Sequence, residues 1–156
     1  MKISLFKKRI KGSVVDLCPT HTFEASHEND YVKTVCFDIC LHDSFTVVGR
    51  CDLRVGMNEE LYYLGNIGYH VHEAWRGNYY AYEACLLLFD LAWQVYQMEE
   101  IIITCNQDNI PSRKTLEKLK GVLLKIADVP QDHYCYKIGE KTKCIFWYNL
   151  ASRFLG

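Results

Sequence analysis

No apolar run in this chain approaches the ~20 residues that a bilayer-crossing helix requires. The opening residues, Met1 to Lys7, hold no long apolar segment followed by a small-residue cleavage site. Membrane insertion and secretion are therefore not expected, and the reading is a cytoplasmic protein. An excess of one charge is also missing: 18 Lys and Arg against 19 Asp and Glu leave a formal net charge of −1, so charge gives no ground for a nucleic-acid partner. The basic cluster Lys7, Lys8, Arg9 and Lys11 is short and broken by Ile10, as in a solvated loop or strand edge. Three well-separated prolines (Pro19, Pro111 and Pro130), with no repeat and no Pro/Gly-rich linker, suggest one domain spanning residues 1–156.

Eight cysteines are present but no CxxC pair, and Cys36 and Cys40 are one residue too far apart for that redox motif. Several sit inside apolar runs, Cys85 before three leucines and Cys105 after Ile101-Ile102-Ile103. Buried, reduced thiols are the simpler account.

Residues 31–50 are rich in Val, Phe, Ile, Thr and Cys, and are broken at Leu41-His42-Asp43-Ser44. They read as two strands, the second continuing as a strand over 46–55. After turn chemistry at 56–60, a further strand is expected over 61–71. Over residues 78–96, Ala81, Ala84, Cys85, Leu88, Leu91, Ala92 and Val95 recur at spacings of three and four, which predicts an amphipathic helix. Residues 101–105 form a continuous apolar run, the mark of a strand buried on both faces. A second helix begins near Asn109-Ile110-Pro111-Ser112 and stops at Gly121. Strands over 122–127 and 144–150 follow, separated by the polar stretch 131–143. A strand–helix–strand crossover this short implies parallel neighbours, so the expected fold is α/β, a mixed sheet with helices packed on it.

The chemistry concentrates between Asn66 and Ala84. A strand ends near Val71 and a helix begins near Asn78, so the first N–H groups of that helix lack intrahelical partners. With the helix dipole they form an anion site suited to a pyrophosphate, beside Arg76 and Gly77.

The run Ile67-Gly68-Tyr69 through Arg76-Gly77-Asn78-Tyr79-Tyr80-Ala81 resembles the acyl-CoA-binding motif of the GNAT N-acyltransferases, Arg/Gln-x-x-Gly-x-Gly/Ala. Arg76 matches its first position and Ala81 its last, while Tyr79 replaces the central glycine. One helix and one strand downstream, Asn109-Ile110-Pro111-Ser112 followed by Glu117-Lys118-Leu119 resembles the family's second motif. The likeness is nearest to the branch of ribosomal-protein N-acetyltransferases. It implies a GNAT fold with splayed parallel strands and flanking helices, and acetyl-CoA as co-substrate held by Tyr69, His70, Val71, Arg76, Gly77, Asn78, Tyr79, Tyr80, Ala81, Asn109 and Ser112. The pantetheine arm would lie between the strands ending at Val71 and Cys105, a bulge leaving the Val71 N–H free to polarise the thioester. Asn109 would bind that arm, and Ser112 would stabilise or protonate the departing thiolate. Many relatives place a tyrosine acid four positions after this serine, but Leu116 stands there.

The acceptor would be a small-molecule amine or the amine of a peptide or protein, attacking directly once deprotonated. His70 is the first candidate base, with Glu59, Glu60 and Glu73 as alternatives; a hydrogen-bonded structural role accounts for His70 equally well. His70-x-His72 is a spacing used by metal sites, but no partner set follows, so no metal is expected. Exposed strand edges or aromatics would suit a homodimer. The rival to an enzyme is a catalytically degenerate GNAT-fold module that binds acyl-CoA or a partner protein.

Overall fold

Alternating apolar and polar residues in the first half of the chain build one antiparallel sheet, seen in a computed structural model that describes residues 8–26 and 32–156. Its strands β1 (Ile10–Lys11), β2 (Val15–Phe23), β3 (Lys33–Leu41), β4 (Val47–Val55) and β5 (Ile67–Val71) lie in sequence order, each antiparallel to the next. Val15, Leu17, Val35, Phe37, Ile39, Cys51 and Leu53 are buried. Helix α2 (Tyr80–Gln94) covers this face with Ala84, Cys85, Leu88, Phe89, Leu91 and Ala92. The expectations for Met1 to Lys7 and for Tyr31 lie outside the described residues.

The second half forms a three-stranded antiparallel sheet of β6 (Glu100–Asn106), β7 (Val122–Asp128) and β8 (Thr142–Asn149), ordered β6-β8-β7. Helix α3 (Ile110–Lys118) joins β6 to β7. Two short helices, α4 (Tyr134–Lys137) and α5 (Leu150–Leu155), complete the chain. All eight cysteines are free thiols, six of them buried. Among the described residues no helix is long and apolar enough to cross a membrane.

Several expectations change. Residues 61–71 are not one strand: helix α1 (Glu59–Leu64) precedes β5. Asn58 caps it by accepting from the Leu61 N–H at 2.9 Å, Glu59 and Glu60 favour its first turn, and Gly65 at φ +86° ends it. These end signals outweigh the strand character of Leu61-Tyr62-Tyr63-Leu64. Strand β2 was not anticipated, because Pro19 sits inside it; the register shifts between Pro19 and His21, where the missing N–H is accommodated. Strand β6 is an edge strand with alternating burial, not buried on both faces. The left-handed residue after α3 is Lys120 at φ +68°, not Gly121. Gly121 is needed for space instead, since a Cβ there would stand 2.5 Å from the Tyr148 ring.

The two sheets meet at one corner. Asn66, 1% exposed, donates its backbone N–H to Ile102 O at 2.7 Å and accepts from the Ile102 N–H at 2.9 Å. Its side-chain amide donates to Arg54 O at 3.0 Å and Gly56 O at 2.7 Å. One buried side chain thus fastens the entry to β5 both to β4 and to β6. Beyond it no ladder joins β5 to β6. The expected parallel neighbours are splayed apart.

Candidate functional site

A cavity of about 580 Å³ lies at the C-terminal end of β5. One wall is the end of β5 and the loop into α2; the other is the first two turns of α3. Tyr69, His70, Val71, Arg76, Gly77, Tyr79, Tyr80, Ala81, Asn109 and Ser112 all line it. Asn78 does not; its side-chain amide donates to Trp75 O at 2.9 Å and closes the loop beneath. Trp75, Pro111, Lys114, Thr115 and Lys118 also line the cavity and were not anticipated. The signal for them was the i, i+3 and i+4 spacing from Pro111 and Ser112, which sets Lys114, Thr115 and Lys118 on one side of α3. The lining includes Arg76, Lys114 and Lys118 and no carboxylate, a balance that suits a polyanion.

The phase of the β4–β5 ladder decides which backbone groups face the cleft. His72 N–H donates to Val48 O at 2.8 Å and Arg54 N–H to Asn66 O at 2.6 Å. Even-numbered residues of β5 therefore bond to β4, and the N–H groups of Tyr69 and Val71 point to the open side. No bulge is involved, since the register runs unshifted from Leu53↔Ile67 to Gly49↔Val71. The expected bulge is absent, and strand phase alone turns the Val71 N–H away from β4. The Val71 carbonyl accepts from Arg76 Nε at 3.0 Å, which holds that cation against the strand end.

Tyr79 occupies the N-cap of α2 at φ 62°, ψ 21°, the left-handed conformation that glycine adopts most readily. The backbone path is thus compatible with the family's glycine even though the residue is not. Tyr79 is 65% exposed, and Lys118 Nζ stands 3.8 Å from its ring centroid and 4.7 Å from that of Tyr82. No side chain caps this helix. The N–H groups of its first turn have no intrahelical partner.

On α3, Asn109 is the N-cap and accepts from the Ser112 N–H at 3.2 Å. The Ser112 hydroxyl lies 3.0 Å from the Tyr69 phenol oxygen. Burial raises the Tyr69 pKa well above the ordinary phenol value, and nearby Cys85 adds to the rise. Leu116 is fully buried in the core, so no polar group comes from that position. His70 is exposed, and its ring stands 6.1 Å from that of His72. Glu60 pairs with His133 at 3.0 Å, while Glu59 lies exposed in the first turn of α1 and Glu73 in a 3-10 turn before α2.

A second polar cluster lies at the β2–β3 end, away from the cavity. Asp16, with its side chain 0% exposed, bonds Arg9 Nε at 2.7 Å, the backbone N–H groups of Gly12 at 3.0 Å and Asp43 at 2.9 Å, and His42 Nδ1 at 2.9 Å. Burial alone would raise its pKa, but these hydrogen bonds together outweigh burial and hold the carboxyl well below the usual range. Both carboxylate oxygens are engaged. That makes Asp16–His42–Asp43 a structural knot.

A family model described as an acetyltransferase (GNAT) domain matches residues 13–122. No curated protein sequence matches the chain. Among solved structures, one assigned as a ribosomal-protein-serine acetyltransferase from Vibrio cholerae superposes with a TM-score of 0.66 at 14% identity, covering 92% of this chain and 98% of that one. An acetyltransferase from Agrobacterium tumefaciens gives 0.64 at 16% identity, covering 91% and 94%. RimL, a ribosomal L7/L12 alpha-N-protein acetyltransferase solved with coenzyme A, gives 0.64 at 12% identity, covering 93% and 99%. At such identities these likenesses speak for the fold, and the family match for the class. With its two motifs meeting across one cleft, the chain belongs to the GNAT acetyltransferase family, the acyl-CoA-dependent N-acetyltransferases.

Proposed function

We propose that residues 1–156 form a single acetyltransferase domain that moves the acetyl group of acetyl-CoA to a primary amine by direct attack. The observation that carries this reading is the open cleft, with the Tyr69 and Val71 amides turned into it and an uncapped helix start flanked by Arg76, Lys114 and Lys118 at its mouth. The amides opening α2 and the three cations receive the diphosphate. The pantetheine arm pairs with the open side of β5, and the Val71 N–H meets the thioester oxygen as charge develops there.

The amine nitrogen bonds to the carbonyl carbon, the C–S bond breaks, and the electron pair leaves on sulfur beside Ser112. The proton shed by the amine passes to His70 or to solvent. The acceptor is a small-molecule or protein amine; the ribosomal-protein names of two structural neighbours put peptides with a free N-terminus first in a screen. The site needs no metal in this scheme. The protein works in the cytoplasm, without nucleic acid or membrane, alone or as a homodimer.

The test has two stages. Acetyl-CoA at about 100 times its Kd should add roughly 2.7 kcal/mol of stability, read as a thermal shift. Absence of any shift with acetyl-CoA would remove the reading. Thiol release is then followed with peptides, polyamines, amino sugars and aminoglycosides. Binding without turnover across that panel would favour the alternative, a GNAT-fold module that binds acyl-CoA but no longer transfers it.

A further inference from the structure

The position from which relatives supply a tyrosine acid holds Leu116, on α3, yet a phenol reaches the same serine from strand β5. Tyr69, on β5, stands 3.0 Å from the Ser112 hydroxyl. The neighbouring Thr115 hydroxyl, one turn along α3, spends its proton on Pro111 O at 3.1 Å.

The Tyr69–Ser112 pair has two proton arrangements. In one, Ser112 donates to Tyr69. In the other, Tyr69 donates to Ser112, and the serine O–H turns into the cleft. No group ionises in passing between them; each hydroxyl only rotates. Burial keeps the phenol protonated, so it remains a donor throughout.

We propose that Tyr69 is a positioning residue for Ser112: by donating its proton to the serine oxygen, it frees the serine proton to bond the thiolate that leaves during acyl transfer. The proposal rests on the acetyl-CoA reading above. During transfer the C–N bond forms, the C–S bond breaks and its electron pair stays on sulfur. The proton lost by the amine finally neutralises the thiolate, directly or through solvent. Ser112 and Tyr69 end the cycle with the protons they began with.

A thiolate-binding device can be tested without knowing the acceptor. Coenzyme A carries the free thiol, and acetyl-CoA is the same ligand with no thiolate form. Affinity for each is measured by calorimetry at pH 7 and pH 9 on the full chain. In the wild type, affinity for coenzyme A relative to acetyl-CoA should rise with pH. In Tyr69→Phe that rise should fall about tenfold, the size of one hydrogen bond to a charged group. Ser112→Ala should lose it as well.

A Tyr69→Phe protein with an undiminished rise would overturn the proposal and leave the cofactor reading standing. Equal weakening of both ligands at both pH values would also overturn it, because it would mark Tyr69 as merely structural. Failure of the wild type to bind acetyl-CoA would strike the underlying reading instead.

Discussion

Replacing Tyr79 by glycine and by alanine separates backbone strain from ring contact. At φ 62° a side chain with a Cβ carries about 1–2 kcal/mol of strain. The Tyr79→Gly change relieves it. It also forfeits the exposed ring–ammonium contact with Lys118, about 0.5–1 kcal/mol, and adds unfolded-state entropy worth about 0.5–1 kcal/mol. The net effect should lie within about 1 kcal/mol of the wild type. Alanine keeps the strain and loses the ring contact, so Tyr79→Ala should be the less stable variant. This reverses the usual order of these residues in helices, where alanine is favoured by roughly 1 kcal/mol.

Urea melts of the three proteins measure the order, and acetyl-CoA titrations of the same samples measure the site. Both variants should bind acetyl-CoA, since neither alters the amides of the first turn. Alanine more stable than glycine would refute the assignment of a left-handed conformation at Tyr79. A tenfold or greater gain in acetyl-CoA affinity for glycine would show that the tyrosine ring obstructs the anion site.

The Asn66→Ala variant removes three hydrogen bonds made by one buried side chain and strands the backbone groups it served. It should cost about 3 kcal/mol in denaturant unfolding, and a loss below 1 kcal/mol would mean the sheets are fastened elsewhere. The Asp16 pKa is depressed by folding, so its stabilisation is fully present above the unfolded carboxyl value of about 3.9 and fades as the pH falls below it. Asp16→Asn should therefore be destabilised by about 3 kcal/mol at pH 7, with the gap to the wild type closing in melts at pH 2–3; a gap independent of pH would contradict the knot described for Asp16. In thiol-release assays with a working acceptor, Ser112→Ala should lower kcat by about 10²-fold with a smaller change in KM, whereas a pure KM effect would assign Ser112 to binding alone.

The fold class and most residues that line the cleft were legible in local sequence. Arg76 to Ala81 and Asn109 to Ser112 are local strings whose roles depend on helix starts, and helix starts are written in local residues. The α1 boundary was also present, in Asn58, Glu59, Glu60 and Gly65, but the aromatic run at 62–63 resembled a strand more strongly. What could not be read was anything set by pairing. The side of β5 on which the Val71 N–H emerges depends on register against β4. The Tyr69–Ser112 contact joins residues 43 apart in sequence, and no periodicity announces it. Strand β7, by contrast, was legible over 122–127 from its apolar run, even though Val122, Leu123, Leu124 and Ile126 are exposed.

An uncovered strand edge ordinarily invites a stranger chain to add to it, with aggregation as the outcome. The edge of β5 is fastened to β6 at Asn66 and paired with no strand beyond it, and the Tyr69 and Val71 amides there open onto the cavity instead. On the acetyl-CoA reading, the amides of the pantetheine arm take the place that another chain's strand would otherwise seek, so occupancy of the site also shields the edge.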